Sequence, residues 1–250
     1  MPIVSIYMAM YNNEKYLAET LDSILAQTFK DFELIITDDG SSDNSLVIAK
    51  DYAKRDNRIR VLSFPHRGQT ATRNEAVKYV NPNSKYLMNH DSDDISFPTK
   101  IERLVKYLEE HPEIAVVGCF VEYFDEEGNT KGSPRMEWKS ERIRETFGEF
   151  NSMIHSATLF RREVFDKIGG YNNNYKVCED YDFFARALMK GFNLANIPEV
   201  LHKVNLHAGS LCAIYKPDMQ RKTQKIARNY RFYQFLKGDL KTKLKMLKNG

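Results

Sequence analysis

Through the first hundred positions, short apolar runs alternate with stretches whose apolar residues recur at helical spacing. Ile3 to Met10 is a continuous apolar run of strand length, as a strand buried on both faces requires. From Glu14 to Gln27, Leu17, Leu21, Ile24 and Leu25 mark one face of a helix, and Phe32 to Thr37 then reads as a second buried strand. The pattern repeats with a helix over about 43–55, a strand at Ile59–Ser63, a helix from Gln69 to Val80 and a strand at Tyr86–Asn89. Such alternation predicts a mostly parallel sheet flanked by helices. After Phe97-Pro98, Ile101, Leu104, Val105 and Leu108 mark an amphipathic helix that ends before His111-Pro112.

The second half changes character. Ile114 to Phe124 reads as a long strand that turns at 125–129, followed by a helix near 140–147 and a strand near 157–161. Gly169-Gly170 closes a short helix, Asp180 to Lys190 forms another, and Phe192 to Val204 is extended. No repeat, low-complexity tract or linker interrupts residues 1–215, so one α/β domain is expected there, with 216–250 as a separate tail.

Composition narrows the classes. The 250 residues are 42% hydrophobic and 28% charged, which excludes a disordered or fibrous chain. No run approaches 18 apolar residues, and the N-terminus has neither a basic region nor a small-residue cleavage site, so the expected location is the cytoplasm. Cys119, Cys178 and Cys212 are scattered, which fits a reducing compartment and excludes a cysteine zinc site. The net charge of +3 hides an asymmetry, because residues 216–250 hold eleven Lys and Arg against two Asp, leaving the body mildly acidic. With an acidic body and no nucleic-acid motif, no nucleic-acid partner is expected.

Ligands of open α/β sheets bind at the carboxyl ends of the strands, and two polar clusters stand there. Thr37-Asp38-Asp39-Gly40-Ser41-Ser42-Asp43 follows the second strand. It serves equally as a turn with helix-capping groups or as a carboxylate, Asp39, that accepts from a nucleotide's imide and ribose. His90-Asp91-Ser92-Asp93-Asp94 follows the fourth strand, and three carboxylates in four residues either repel or bind a cation. Mg²⁺ and Mn²⁺ suit such hard ligands, with water and phosphates completing an octahedron. Between them, Gly68 permits close backbone approach and Arg73 falls on the first turns of a helix, either as an exposed arginine or as a phosphate contact. Glu179-Asp180-Tyr181-Asp182 opens a helix instead of ending a strand.

Together these motifs resemble the family 2 glycosyltransferases of the GT-A fold. The resemblance rests on Met10-Tyr11-Asn12, Asp38-Asp39-Gly40-Ser41-Ser42-Asp43, Gly68 to Asn74, Asp91 to Asp94 with Pro98 beyond, Phe160 to Tyr171, Glu179-Asp180 with Arg186, and His207 to Ser210, over about residues 1–212. It implies a GT-A fold with a Rossmann-like nucleotide-sugar donor part over about 1–97 and an acceptor part over 98–215. It further implies an inverting transfer, without the acid and nucleophile pair of a retaining glycosidase. Asp180 would be the general base. Ala9, Tyr11, Asp39, Arg73 and Asp91 would bind the donor nucleotide, with a UDP-sugar favoured. Asp93, Asp91 and His207 would hold a divalent cation, Mn²⁺ or Mg²⁺, that neutralises the leaving diphosphate. Glu179, Asp94, His155 and Trp138 would stand on the acceptor side or behind these groups. The usual Pro before the first Tyr-Asn is missing at Ala9-Met10, His66 replaces the usual Asn and Thr72 the usual Ala, which bears on base and ribose fit. No Gln-x-x-Arg-Trp motif of processive synthases occurs, so a single addition to a saccharide or lipid-linked acceptor, in bacterial-type surface polysaccharide synthesis, is the expectation.

Two other readings stay open on the residues. A sugar-phosphate nucleotidyltransferase would want a Gly-rich, basic loop where Met10-Tyr11-Asn12-Asn13-Glu14 stands, and a degenerate scaffold would gain nothing from keeping Asp180. In the tail, Ile226, Tyr230 and Tyr233, then Leu240, Leu244 and Leu247, recur at helical spacing among basic residues, with a break at Gly238. Such a helix suits a peripheral contact with an anionic membrane. Alternatively its aromatic residues pack on the domain or on a second subunit of a homodimer.

Overall fold

The computed structural model describes residues 2–210 and 214–238. The first four strands, β1 (Val4–Met10), β2 (Phe32–Asp38), β3 (Ile59–Ser63) and β4 (Tyr86–Asn89), form where the apolar runs predict them. Helices α1 (Leu17–Leu25), α2 (Ser45–Arg55) and α3 (Gln69–Val77) connect them. Then come β5 (Ile95–Ser96), α4 (Lys100–Glu110), β6 (Ile114–Asp125), β7 (Thr130–Gly132) and α5 (Ser140–Thr146). A 3₁₀ turn (His155–Ala157), β8 (Thr158–Arg161), α6 (Arg162–Ile168), α7 (Glu179–Met189), β9 (Asn193–Leu206) and α8 (Lys216–Lys237) complete the chain.

One sheet runs in the order β3-β2-β1-β4-β8-β6-β9-β5, with β7 paired to β6. The parallel expectation holds from β3 to β4, whereas β8 runs antiparallel to both β4 and β6 before β9 returns parallel to β6. The register aligns Met10 with Asp38 and Tyr7 with Asn89, so the loops after β1, β2 and β4 emerge together at one edge of the sheet. β9 reaches the same region, with Leu206 opposite Asp125.

Both faces of β1 are buried, which explains its unbroken apolar run. Val4, Ile6, Met8 and Met10 meet α1, α2 and α4 on one side, while Tyr7 with Ile35 and Leu87 meets α3, α6 and α7 on the other. That second core also takes in Ile226, Ala227 and Tyr230 of α8. Tyr230 is fully buried, its ring edge-on to Phe147 and its hydroxyl donating to the Arg144 carbonyl at 3.1 Å. Of the two arrangements open for the tail, packing on the domain is therefore present, while Phe232 and Leu236 on the other side of α8 stay exposed. The helix ends before Gly238, and Leu240, Leu244, Leu247 and Cys212 lie outside the described residues. Cys119 and Cys178 are buried. At the join of the halves Gly170, at φ +75°, passes so close to α3 that a Cβ there would stand 2.9 Å from Asn74 Oδ1. Asn74 uses that closeness, donating to the Tyr171 carbonyl and accepting its N–H.

Candidate active site

Asp39 leaves the end of β2 almost fully buried. Its Oδ1 accepts from Arg67 N at 2.8 Å and Thr72 Oγ1 at 2.7 Å, and its Oδ2 accepts from Gly68 N at 2.9 Å. A carboxylate at the start of a helix satisfies orphan N–H groups and complements the dipole. Asp39 thus sets the start of α3, whose entry turn uses Gly68 at φ +90°, and α3 in turn carries Arg73 inward. Thr72 is the third partner of this cap.

Arg73 is 3% exposed and lies between two carboxylates, Asp91 at 2.5 Å on one side and Glu179 on the other. Asp91 also accepts from Asn89 Nδ2 at 2.9 Å through the same oxygen. Burial favours the neutral acid at Asp91, yet the Arg73 charge, with His155 and Asn89, holds it well below the usual carboxylate range. At Glu179 burial prevails over the Arg73 charge and pushes the carboxyl up to about 7. Next in the chain Asp180 is half-buried on the first turn of α7, and no described side chain bonds to it. Its pKa is raised by burial, against the Tyr181 N–H and the charge of Arg73, with Asp91 adding to the rise. The chain enters α7 through Cys178 at φ +64°, a strained conformation for a side chain of this size and one common at functional sites.

Asp93 meets His207 across 2.8 Å, joining the loop after β4 to the end of β9. Burial pushes Asp93 up to about 6, and the hydrogen bond to Asp93 raises the His207 imidazole. Tyr16 packs on the His207 ring at 4.7 Å. Among the described residues no three His, Cys, Asp or Glu side chains close a metal site. The pair nevertheless fits two positions of an open one, because cis ligands about 2.1 Å from an octahedral ion stand about 3 Å apart.

Asp94 faces inward. It accepts from Ser156 Oγ at 2.5 Å, His202 Nε2 at 3.0 Å and Asn205 N at 3.1 Å, and burial raises it to about 7. Lys100 completes this buried cluster, donating to the Ser156 carbonyl at 2.6 Å and His202 Nδ1 at 3.1 Å. Burial depresses the Lys100 ammonium to about 8. Neither Lys100 nor His202 was expected from sequence, although Lys100 stands one turn before Leu104 on the apolar stripe of α4, a place where a lysine needs partners.

His155 is buried behind Arg73 and Asp91, its Nε2 2.6 Å from Tyr171 Oη, which in turn bonds Tyr7 Oη. Burial with the Arg73 charge lowers its imidazole to about 3, and its Nδ1 has no partner among the described residues. Trp138 is 47% exposed on the segment before α5, its carbonyl accepting from Asn196 N. No described contact joins it to the carboxylates. Ala9 pairs with Thr37 near the end of β1, and Tyr11 just beyond is 45% exposed with its ring 4.5 Å from that of His66. His66 Nδ1 lies 2.9 Å from Asp39 Oδ2. Beside His207 a cavity of about 1150 Å³ opens between the β6–β7 turn and α8, lined by Glu126, Glu127, Gln220, Thr223 and Gln224.

The description of Glycosyl transferase family 2 matches residues 5–169. An uncharacterized glycosyltransferase of Haemophilus influenzae is 31% identical over 243 residues, covering 93% of this chain and 74% of that protein. Among solved structures, S. aureus TarS 1–349 in complex with UDP-GlcNAc superposes with a TM-score of 0.73 at 18% identity, over 97% of this chain and 78% of that one. The mannosyltransferase PcManGT from Pyrobaculum calidifontis, in complex with GDP-Man and Mn²⁺, gives 0.65 at 14% identity over 99% and 79%. The sheet with its two helical layers is the fold of these enzymes, and the chain belongs to glycosyl transferase family 2.

Proposed function

We propose that the protein moves a sugar from a nucleoside diphosphate donor, a UDP-sugar by preference, to a hydroxyl of a saccharide or lipid-linked acceptor, with inversion, in bacterial-type surface polysaccharide synthesis. The observation that carries this reading is the placement of Asp180, a carboxylate with no side-chain partner among the described residues, beside the Arg73 clamp and within electrostatic reach of Asp91. The nucleotide sugars bound by the TarS and PcManGT structures support the donor class.

In this reading Asp39 and Arg73 shape the donor side, with Tyr11 and Ala9 at its rim, and Asp91 presents the oxygen that Arg73 leaves free. Asp93 and His207 would hold the divalent cation, which when bound neutralises charge on the departing diphosphate. The acceptor enters by the cavity beside His207, where Gln220, Thr223 and Gln224 offer hydrogen bonds to sugar hydroxyls. Asp180 takes the proton of the acceptor hydroxyl as its oxygen bonds to the anomeric carbon and the bond from that carbon to the diphosphate breaks. Glu179 holds Arg73 from behind and does not touch substrate.

No helix among the described residues is long and apolar enough to cross a membrane. We propose a peripheral position at the inner face of the cell membrane through the outward side of α8, where Arg221, Lys225 and Arg228 precede the exposed Phe232 and Leu236.

Four outcomes are expected. Asp180→Asn lowers transfer by about 10²–10⁴-fold while donor binding by calorimetry stays near wild type, the loss expected of a general base. Because the base works ionised and its pKa is raised, the wild-type rate falls with acid at a pH above the usual carboxylate value of about 3.9. Full turnover in Asp180→Asn would remove the base assignment. Asp93→Ala should abolish the strengthening of UDP binding by Mn²⁺, whereas an unchanged metal response would place the cation elsewhere. Finally, the protein should sediment with anionic vesicles, and Phe232→Glu with Leu236→Glu should release it; equal sedimentation of both proteins would defeat the peripheral reading.

A further inference from the structure

Lys100 is fully buried on the apolar stripe of α4, where a leucine or methionine would fill the space without desolvating a charge. Its Nζ meets three acceptors: the Ser156 carbonyl at 2.6 Å, His202 Nδ1 at 3.1 Å and Ser96 Oγ at 3.3 Å. An ammonium has three N–H groups and no lone pair, so all three contacts run outward from Lys100. That direction decides where the other hydrogens of the cluster lie.

Burial and the nearby Lys100 ammonium hold the imidazoles of His90 and His202 well below their usual pKa, so both rings are neutral. Because His202 Nδ1 accepts from Lys100, the ring hydrogen is on Nε2, which donates to Asp94 Oδ2 at 3.0 Å. Because Ser96 Oγ also accepts from Lys100, its own hydrogen goes to His90 Nε2 at 2.8 Å. His90 then carries its hydrogen on Nδ1 and donates to the Asp91 carbonyl at 2.8 Å. Two lines of donated hydrogen bonds thus leave one ammonium. One ends on the Asp91 carbonyl and the other on the Asp94 carboxylate, the two ends of Asp91-Ser92-Asp93-Asp94. Asp93 lies between those ends. Asp94 Oδ1 also accepts from Asn205 N at 3.1 Å, two residues before His207, so the same cluster reaches the strand that leads to His207.

We infer that Lys100 is a positioning residue for the divalent cation: through Ser96 and His90 on one side and His202 on the other, it fixes both ends of the Asp91–Asp94 loop and so holds Asp93 opposite His207. The inference rests on the reading of Asp93 and His207 as cation ligands. Lys100 itself lies beneath the loop and touches neither of them. With one end released, Asp93 has to be ordered when the cation arrives, and that ordering costs affinity.

Calorimetric titration of the full chain with UDP, in Mn²⁺ and in chelator, tests this, with circular dichroism to follow the fold. Groups that orient metal ligands typically contribute about 10–100-fold to metal affinity, so Lys100→Met should weaken the strengthening of UDP binding by Mn²⁺ on that scale while binding in chelator changes little. Ser96→Ala and His202→Leu each cut one of the two lines, and each should lose part of the strengthening. His202→Gln keeps an acceptor for Lys100 and a donor for Asp94, and should recover part of what His202→Leu loses. Leu104→Ala, one turn further along the same stripe of α4, should lower the melting temperature without changing the Mn²⁺ response, which separates positioning from lost stability. If Lys100→Met does not fold, Ser96→Ala and His202→Leu decide the matter. A wild-type Mn²⁺ response in folded Lys100→Met, or in both of those variants, would overturn the inference and leave the cation reading standing. If wild type binds UDP no more tightly with Mn²⁺ than in chelator, the cation reading itself fails and the inference goes with it.

Discussion

Arg73 carries a permanent charge into a dry site, and the two carboxylates that hold it come from opposite halves of the chain: Asp91 from the loop after β4 and Glu179 from the start of α7. Removing one partner of a buried pair typically costs about 3–5 kcal/mol, because an uncompensated charge stays behind. The two ends are therefore coupled through one guanidinium. Its planar guanidinium sends separate nitrogens, Nη1 and Nη2, to the two carboxylates, a spread that the single nitrogen of a lysine does not reproduce. Asp39 prepares the clamp by setting the start of α3, and Asn74, the residue after Arg73, ties that helix to the loop that leads to α7. The placement of Asp180 is the last consequence of this sequence of contacts.

Most of the architecture could be read from periodicity. β1 to β4 and α1 to α4 fall within a few residues of their expected limits, because each apolar run is long and ends at turn-forming residues. The antiparallel β8 could not be placed that way. Thr158–Arg161 has strand character, but nothing local says that it enters between β4 and β6. The tail illustrates a similar limit: the spacing of Ile226 and Tyr230 announces an apolar face but not the Phe147 ring that covers it.

In the candidate site, the nearness of the carboxylates was legible in the sequence and their partners were less so. Asp39, Asp91, Asp93, Glu179, Asp180 and His207 gather at one edge because they follow strand ends or open a helix there, and Arg73 reaches them from the second turn of α3. What spacing could not show is which of them face inward. Asp94 looks like a third member of the acidic cluster, yet it turns to Ser156, His202 and Asn205 and props the loop from below. His155 and Trp138 divide likewise, the first buried against Tyr171 and the second on the surface. Local sequence does not single out Lys100, because its partners come from the 3₁₀ turn and β9, far away in sequence.

By bridging two carboxylates, Arg73 couples the loop after β4 to the first turn of α7, which carries Asp180. Steady-state transfer kinetics of Arg73→Lys, with circular dichroism to follow the fold, tests that coupling most directly. The account predicts a folded protein with a lowered melting temperature and a kcat reduced at least a hundredfold, since a lysine keeps the charge but not the bridge. A variant that transfers sugar within threefold of the wild-type rate would contradict it.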